Sequence, residues 1–178
     1  MAREADNGRL ASAVKGSAAM SSRSNPRLQV ARAGAWSRQV AAQLGVVLLD
    51  TLGLAAAVEW HAHQFQKYTG IRSALTVNDT DGFVAPEEYA TGLFEMLHDA
   101  LNHVARCAQV SRVDIALNIT PREVGMVMRH DGIGAAGALA RIRARAQAYH
   151  GLCEVARAPE AGTTLTVSLP LPSAPERA

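Results

Sequence analysis

LFEMLHDALNHVARCAQVSRVDIAL, Leu93–Leu117, changes its hydrophobic period part-way along, and that change decides the fold. Leu93, Met96, Leu97, Ala100, Leu101, Val104 and Ala108 recur at three- and four-residue steps, the stripe of an amphipathic helix. From Arg112 to Ile119 apolar and polar residues alternate instead, as in a strand with one buried face. Upstream, Pro86, Glu87 and Glu88 open the helix, because proline suits a first turn and carboxylates suit the positive end of the helix dipole. Downstream, Thr120, Pro121 and Arg122 separate the strand from a second apolar run, Glu123–Arg129, which predicts an antiparallel hairpin.

The pattern extends in both directions. Leu54, Ala57, Val58, His61, Phe65 and Tyr68 share one face of a helix over Leu52–Thr69, with Gly70 placed for a left-handed cap. Ser73–Val77 reads as a strand, followed by turn residues Asn78, Asp79, Asp81 and Gly82. An Ala-rich helix over about Gly137–Tyr149 precedes a closing hairpin, Leu152–Ala156 and Thr163–Leu169, turning around Ala158–Gly162. Helix, strand, helix, two strands, helix, two strands suits a two-layer α/β (α+β) sandwich. Its mixed, mostly antiparallel sheet carries the helices on one face, since each helix has one stripe to bury.

Residues 1–27, rich in Ser, Ala, Gly, Asn and Arg without a period, read as a disordered tail. Leu28, Val30, Ala33, Trp36, Val40 and Leu44 predict a helix from Arg27 to Leu49, so residues 28–47 form a leading helix or linker to a domain at 48–171. Residues 172–178 form a proline-containing tail. The net charge of +2, without any Lys/Arg run, argues against nucleic acid as a partner. Cys107 and Cys153 form no CxxC pattern and read as small buried hydrophobes. The most apolar stretch, LGVVLLDTLGLAAAVEW at Leu44–Trp60, is interrupted by Asp50 and is short for a membrane span. MAREADNGRL does not resemble a secretory signal, so a cytoplasmic location is expected.

Three stretches, in order, carry a family resemblance. LLDTLGLAAAVEWHAHQFQKYTGI at Leu48–Ile71, LFEMLHDALNHVARCAQVSRVDIAL at Leu93–Leu117, and HDGIG at His130–Gly134 with GTTLTVSLPL at Gly162–Leu171 resemble the ATP-binding domain of bacterial sensor histidine kinases. The first stretch is similar to the group that pairs with helix-turn-helix response regulators. The resemblance spans about residues 45–171 and implies the histidine-kinase-like ATPase fold. It implies that Asp131 accepts a hydrogen bond from the adenine amino group, while Gly132 and Gly134 let the backbone approach the base. Thr163 would help to fix the base. Asp-Gly is equally good turn chemistry, and a β-branched residue opening a strand is common for structural reasons.

The same resemblance marks departures. Where the family carries a Glu and an Asn four residues apart, for general-base and magnesium-binding roles, this chain has Asp99 and His103. Aspartate keeps the charge with a shorter reach. Imidazole nitrogen suits a hard cation poorly, so Mg2+ binding is doubtful, although His103 with Asp99 could hold a transition metal. The segment after Gly134 is too short for the family's phosphate lid; Gly137 could keep part of a phosphate-facing turn, or merely start an Ala-rich helix. No histidine precedes His61, so a chain without its own phosphoacceptor is expected, and His61 and His63 read as surface or boundary residues. LHDAL at Leu97–Leu101 superficially resembles an acceptor motif. Two readings follow. One is a degenerate ATPase domain that binds ATP or ADP between the long helix and the helix after Gly134, passing phosphate to a histidine elsewhere. The other is a non-catalytic module that docks on a sensor histidine kinase or response regulator, with a homodimer possible through the leading helix.

Overall fold

The computed structural model describes residues 44–80, 82–107, 109–132, 139–158 and 162–172. Eight elements follow in the expected order: α1 (Leu44–Thr69), β1 (Arg72–Asp79), α2 (Glu87–Arg106), β2 (Arg112–Ile119), β3 (Glu123–His130), α3 (Ala140–Ala148), β4 (Leu152–Ala158) and β5 (Gly162–Pro170). The tail at 1–27, the leading segment up to Gln43, Gly134, Gly137, the turn at 159–161 and residues 173–178 lie outside the described residues.

The strands form one sheet in the order β1-β2-β3-β5-β4. β1 runs parallel to β2, with α2 as the crossover between them, and every other pairing is antiparallel. Register lays four rungs across the three central strands: Ile119–Val124–Leu169, Leu117–Met126–Val167, Ile115–Met128–Leu165 and Val113–His130–Thr163. The first three rungs are wholly apolar and buried. Each such side chain contributes roughly 1.5–3 kcal/mol by leaving water. The opposite face is built from smaller or polar groups, and there Glu123 accepts hydrogen bonds from Asn118 at 3.2 Å and from Ser168 at 2.7 Å.

The apolar stripe of α2 lies on the buried face, with Met96, Leu97, Ala100, Leu101 and Val104 at most 1% exposed. Pro86 occupies the N-cap rather than the first turn, and the acids Glu87 and Glu88 follow it. α1 packs beside α2 through Leu54, Ala57, Val58 and Phe65. The expected break before Leu52 falls instead at Gly53, whose φ of 82° and ψ of 175° leave helical space while α1 continues on both sides. Only glycine adopts that backbone without strain. His61 is not a surface or boundary residue: it is fully buried on the α1 stripe, whereas His63 is exposed. Its position at helical spacing between Val58 and Phe65 carries it inward. Cys107 is buried and Cys153 half-buried.

β5 begins at Gly162, with φ of 79°, and an added Cβ there would run into the carbonyl oxygen of His130. The fourth rung closes because this residue lacks a side chain. Gly162→Ala is expected to destabilise the domain by roughly 2–4 kcal/mol, from left-handed strain plus a backbone clash. Urea unfolding with an unchanged slope and a lower midpoint checks this.

Candidate functional site

The last rung of the ladder is where the core turns polar. His130 is 6% exposed and Thr163 5%, and both project toward the helix layer alongside the apolar rungs. The imidazole Nδ1 of His130 accepts a hydrogen bond from the Gly132 amide at 3.2 Å, which leaves its proton on Nε2. Thr163 Oγ1 donates to the Gly132 carbonyl at 3.4 Å. Gly132 and Thr163, nominated together from the sequence, are thus neighbours.

Asp131 faces elsewhere. Its exposed carboxylate accepts from the Ser111 amide (2.9 Å), the Ser111 hydroxyl (2.5 Å) and the Arg112 amide (3.1 Å), tying the end of β3 to the start of β2. Partial burial is the largest single influence and pushes the carboxyl up, yet the hydrogen bonds from Ser111 and Arg112 together hold it below the usual carboxylate range. The side chain that points from this loop into the domain is that of His130.

From the helix layer, α2 presents Asp99 and His103 one turn apart. The His103 ring stands edge-on to His130, with centroids 6.4 Å apart. One turn further, Cys107 Sγ lies 3.5 Å from His103 Nε2 and donates to the His103 carbonyl at 3.3 Å. Burial lowers the pKa of both imidazoles, helped by Arg157 and Arg106 at His103 and by His103 and Arg157 at His130. Burial also raises the Cys107 thiol. All three groups are therefore held neutral. Among the described residues no three His, Cys, Asp or Glu side chains converge as a metal ion would need.

Asp99 is engaged across the helix pair. Its Oδ1 lies 2.7 Å from a guanidinium nitrogen of Arg141 on α3; the Asp99 side chain is 14% exposed and the Arg141 side chain 79%. One turn back on α2, Glu95 pairs with Arg145, and Tyr149 donates its hydroxyl to the Glu88 carbonyl at 3.2 Å. Positions 141, 145 and 149 thus meet α2 in antiparallel register, and the seam between the two helices, where nucleotide was expected, is bridged at three levels. Each exposed pair alone is worth at most about 1 kcal/mol.

Two groups escaped the sequence reading. His61 and His98 meet in the α1–α2 interface with Nε2 and Nδ1 3.2 Å apart, and Phe94 lies against the His61 ring at 5.1 Å. Arg141 and Arg145 were read only as residues of an Ala-rich helix. The signal for His61 was present in its apolar stripe; nothing local announces the ion pairs of α3.

The geometry now meets its relatives. No protein-family model matches the chain. It is 30% identical over 146 residues to the sensor histidine kinase MctS of Rhizobium johnstonii, a match covering 75% of this chain and 31% of that kinase. Among solved structures, the blue-light activated histidine kinase EL346 of Erythrobacter litoralis superposes with a TM-score of 0.53 at 14% identity, over 66% of this chain and 45% of that one. The Acinetobacter baumannii histidine kinase AdeS gives 0.51 at 11%, over 71% and 73%. The chain has the fold of a sensor-histidine-kinase ATP-binding domain. The expected architecture, a mostly antiparallel sheet with helices on one face, is the one the chain adopts. Among its described residues no helix is long and apolar enough to cross a membrane.

The buried histidines make stability fall in acid. His61 is lowered from 6.5 to about 3, by burial first and then by His98, and His98, His103 and His130 are lowered as well. Because the folded pKa values lie below the unfolded one, the unfolded chain binds more protons once pH drops below 6.5. Stability is therefore complete above that value and is lost as pH falls toward the folded pKa values. His61 alone accounts for about 2 kcal/mol between pH ~7 and pH ~5. Urea midpoints measured across that interval should fall with pH, and less steeply in His61→Phe.

Proposed function

We propose that this chain serves two-component signalling in the cytoplasm as a non-catalytic domain that docks on a sensor histidine kinase or a response regulator. The observation that carries the reading is the state of the two helix positions given to nucleotide chemistry by the family resemblance. Asp99 is neutralised by Arg141, and His103 sits against Cys107 and His130. Magnesium takes oxygen ligands in near-octahedral geometry, and this donor set, one paired carboxylate and an imidazole beside a thiol, does not fit it. The relatives are named as kinases, but the chain spans 31% of MctS, so their activity is not carried over with the fold.

Neither His61 nor His98 is presented as a phosphoacceptor. The first histidine in the chain, His61, is fully buried, and His98, in the acceptor-like LHDAL stretch, is half-buried against it.

A second reading, retention of ATP or ADP without turnover through Asp131, Gly132, Thr163 and the undescribed Gly134 and Gly137, is favoured by one observation. Gly132 and Thr163 adjoin each other at the polar end of the sheet. Against it, an adenine amino group would compete with Ser111 and Arg112 for the Asp131 carboxylate. Thermal-shift titration with ATP and ADP, with and without Mg2+, separates the readings, since a ligand that binds only the folded state raises its melting temperature. The docking reading expects no Mg2+-dependent increment and no labelled phosphate on any response regulator. A nucleotide shift that Mg2+ leaves unchanged would favour the second reading; phosphotransfer would overturn both.

A further inference from the structure

The kink at Gly53 opens a cleft of about 440 Å³ between the first half of α1 and the loop that leads into α2. It lies at the far end of α2 from the polar site, since Glu87 on its rim is sixteen residues, or about 24 Å of helix, from His103. Its floor is apolar, with Leu49, Phe83 and Ile119. Two of its wall residues, Leu52 and Val84, remain 64% and 82% exposed. Three carboxylates, Asp50, Asp79 and Glu87, also line it, and among the described residues no Lys or Arg does. The volume lies in the range that takes a large anchoring side chain with its neighbours. An apolar floor with an acidic lining calls for an occupant that is apolar on one side and basic on the other.

The chain itself contains such a segment. Residues 1–43 hold seven Lys and Arg against two Asp and Glu, whereas residues 44–178 hold eleven against fourteen. The basic excess of the protein therefore lies entirely ahead of α1, and residues 44–178 carry an acidic excess. Within Leu28–Gln43, Trp36 is the one aromatic residue, with Arg32 and Arg38 on either side of it and Val40 nearby. Eight steps of chain lead from Trp36 to Leu44 and span up to about 27 Å when extended, against about 14 Å of helix from Leu44 to Gly53, so the docked segment leaves the helical path expected from its sequence and turns back ahead of Leu44.

We infer that residues 28–43 fold back onto their own domain, with Trp36 in the Gly53 cleft and Arg32 and Arg38 against Asp50, Asp79 and Glu87. The indole covers Leu52 and Val84, and the guanidinium groups pair with the carboxylates that line the cleft. The docked segment occupies the mouth of the helix that joins it to the domain.

The chain has two tryptophans, so Trp60→Phe leaves Trp36 as the sole indole emitter in the full-length protein. In that background Trp36 should emit to the blue of the urea-unfolded chain, with several-fold lower iodide quenching, at every protein concentration. Arg32→Glu with Arg38→Glu, which changes nothing in the described fold, should return the emission and quenching to those of an exposed indole. Asp50→Lys with Asp79→Lys should do the same while circular dichroism stays unchanged, and the double reversal of both sets should restore shielding. A solvent-exposed Trp36 in the parent protein overturns the inference. So does shielding that appears only as the chain self-associates, which assigns the cleft to a second copy, or shielding that survives both charge reversals.

Discussion

A sheet with one covered face must have its helices on that face, and in this domain the middle of that face is covered by a single helix. α2 lays Met96, Leu97, Ala100, Leu101 and Val104 onto three apolar rungs of β2, β3 and β5, all of them almost fully buried. Everything else takes its place from that contact. α2 is also the crossover that sets β1 parallel to β2, and it is the surface on which α1 and α3 pack. The residues of the candidate site sit where this apolar contact ends, because the fourth rung substitutes His130 and Thr163 for aliphatic side chains.

The character of that end follows from burial. Imidazoles and a thiol held in partly dry surroundings are kept neutral, since charging any of them would forfeit hydration that the core does not replace. Asp99, one turn from His103 on α2, is answered from α3 by Arg141. What remains is a neutral polar cluster with a closed helix seam beside it. Fold and chemistry thus part company: a backbone arranged as in sensor histidine kinases carries a set of side chains with a different electrostatic balance.

The order of elements and the burial face of each strand were legible because both are periodic properties of local sequence. Arg112–Ile119 was bounded correctly, and Glu123–His130, Leu152–Ala158 and Gly162–Pro170 differ from expectation by one or two residues at their ends. The misplacements have local physical causes. A helix interrupted by one glycine in an extended backbone reads as two helices with the gap in the wrong place, because the flanking residues keep helical periodicity. A histidine on an apolar stripe reads as a boundary residue until its partner is known, and here the partner, His98, comes from a different helix.

By itself, then, the sequence determined which residues turn inward and in what order helices and strands follow, since 3.6- and two-residue periods are written into the chain. It also carried the departures at Asp99 and His103, which are matters of identity alone. Only the tertiary structure decided what those side chains meet. Asp131 turns to Ser111 and Arg112 while His130 turns inward, because neighbours on a strand point to opposite faces. Arg141 reaches Asp99 across forty-two residues of chain. Pairings of that span depend on how two helices are set against one sheet, and no local pattern encodes them.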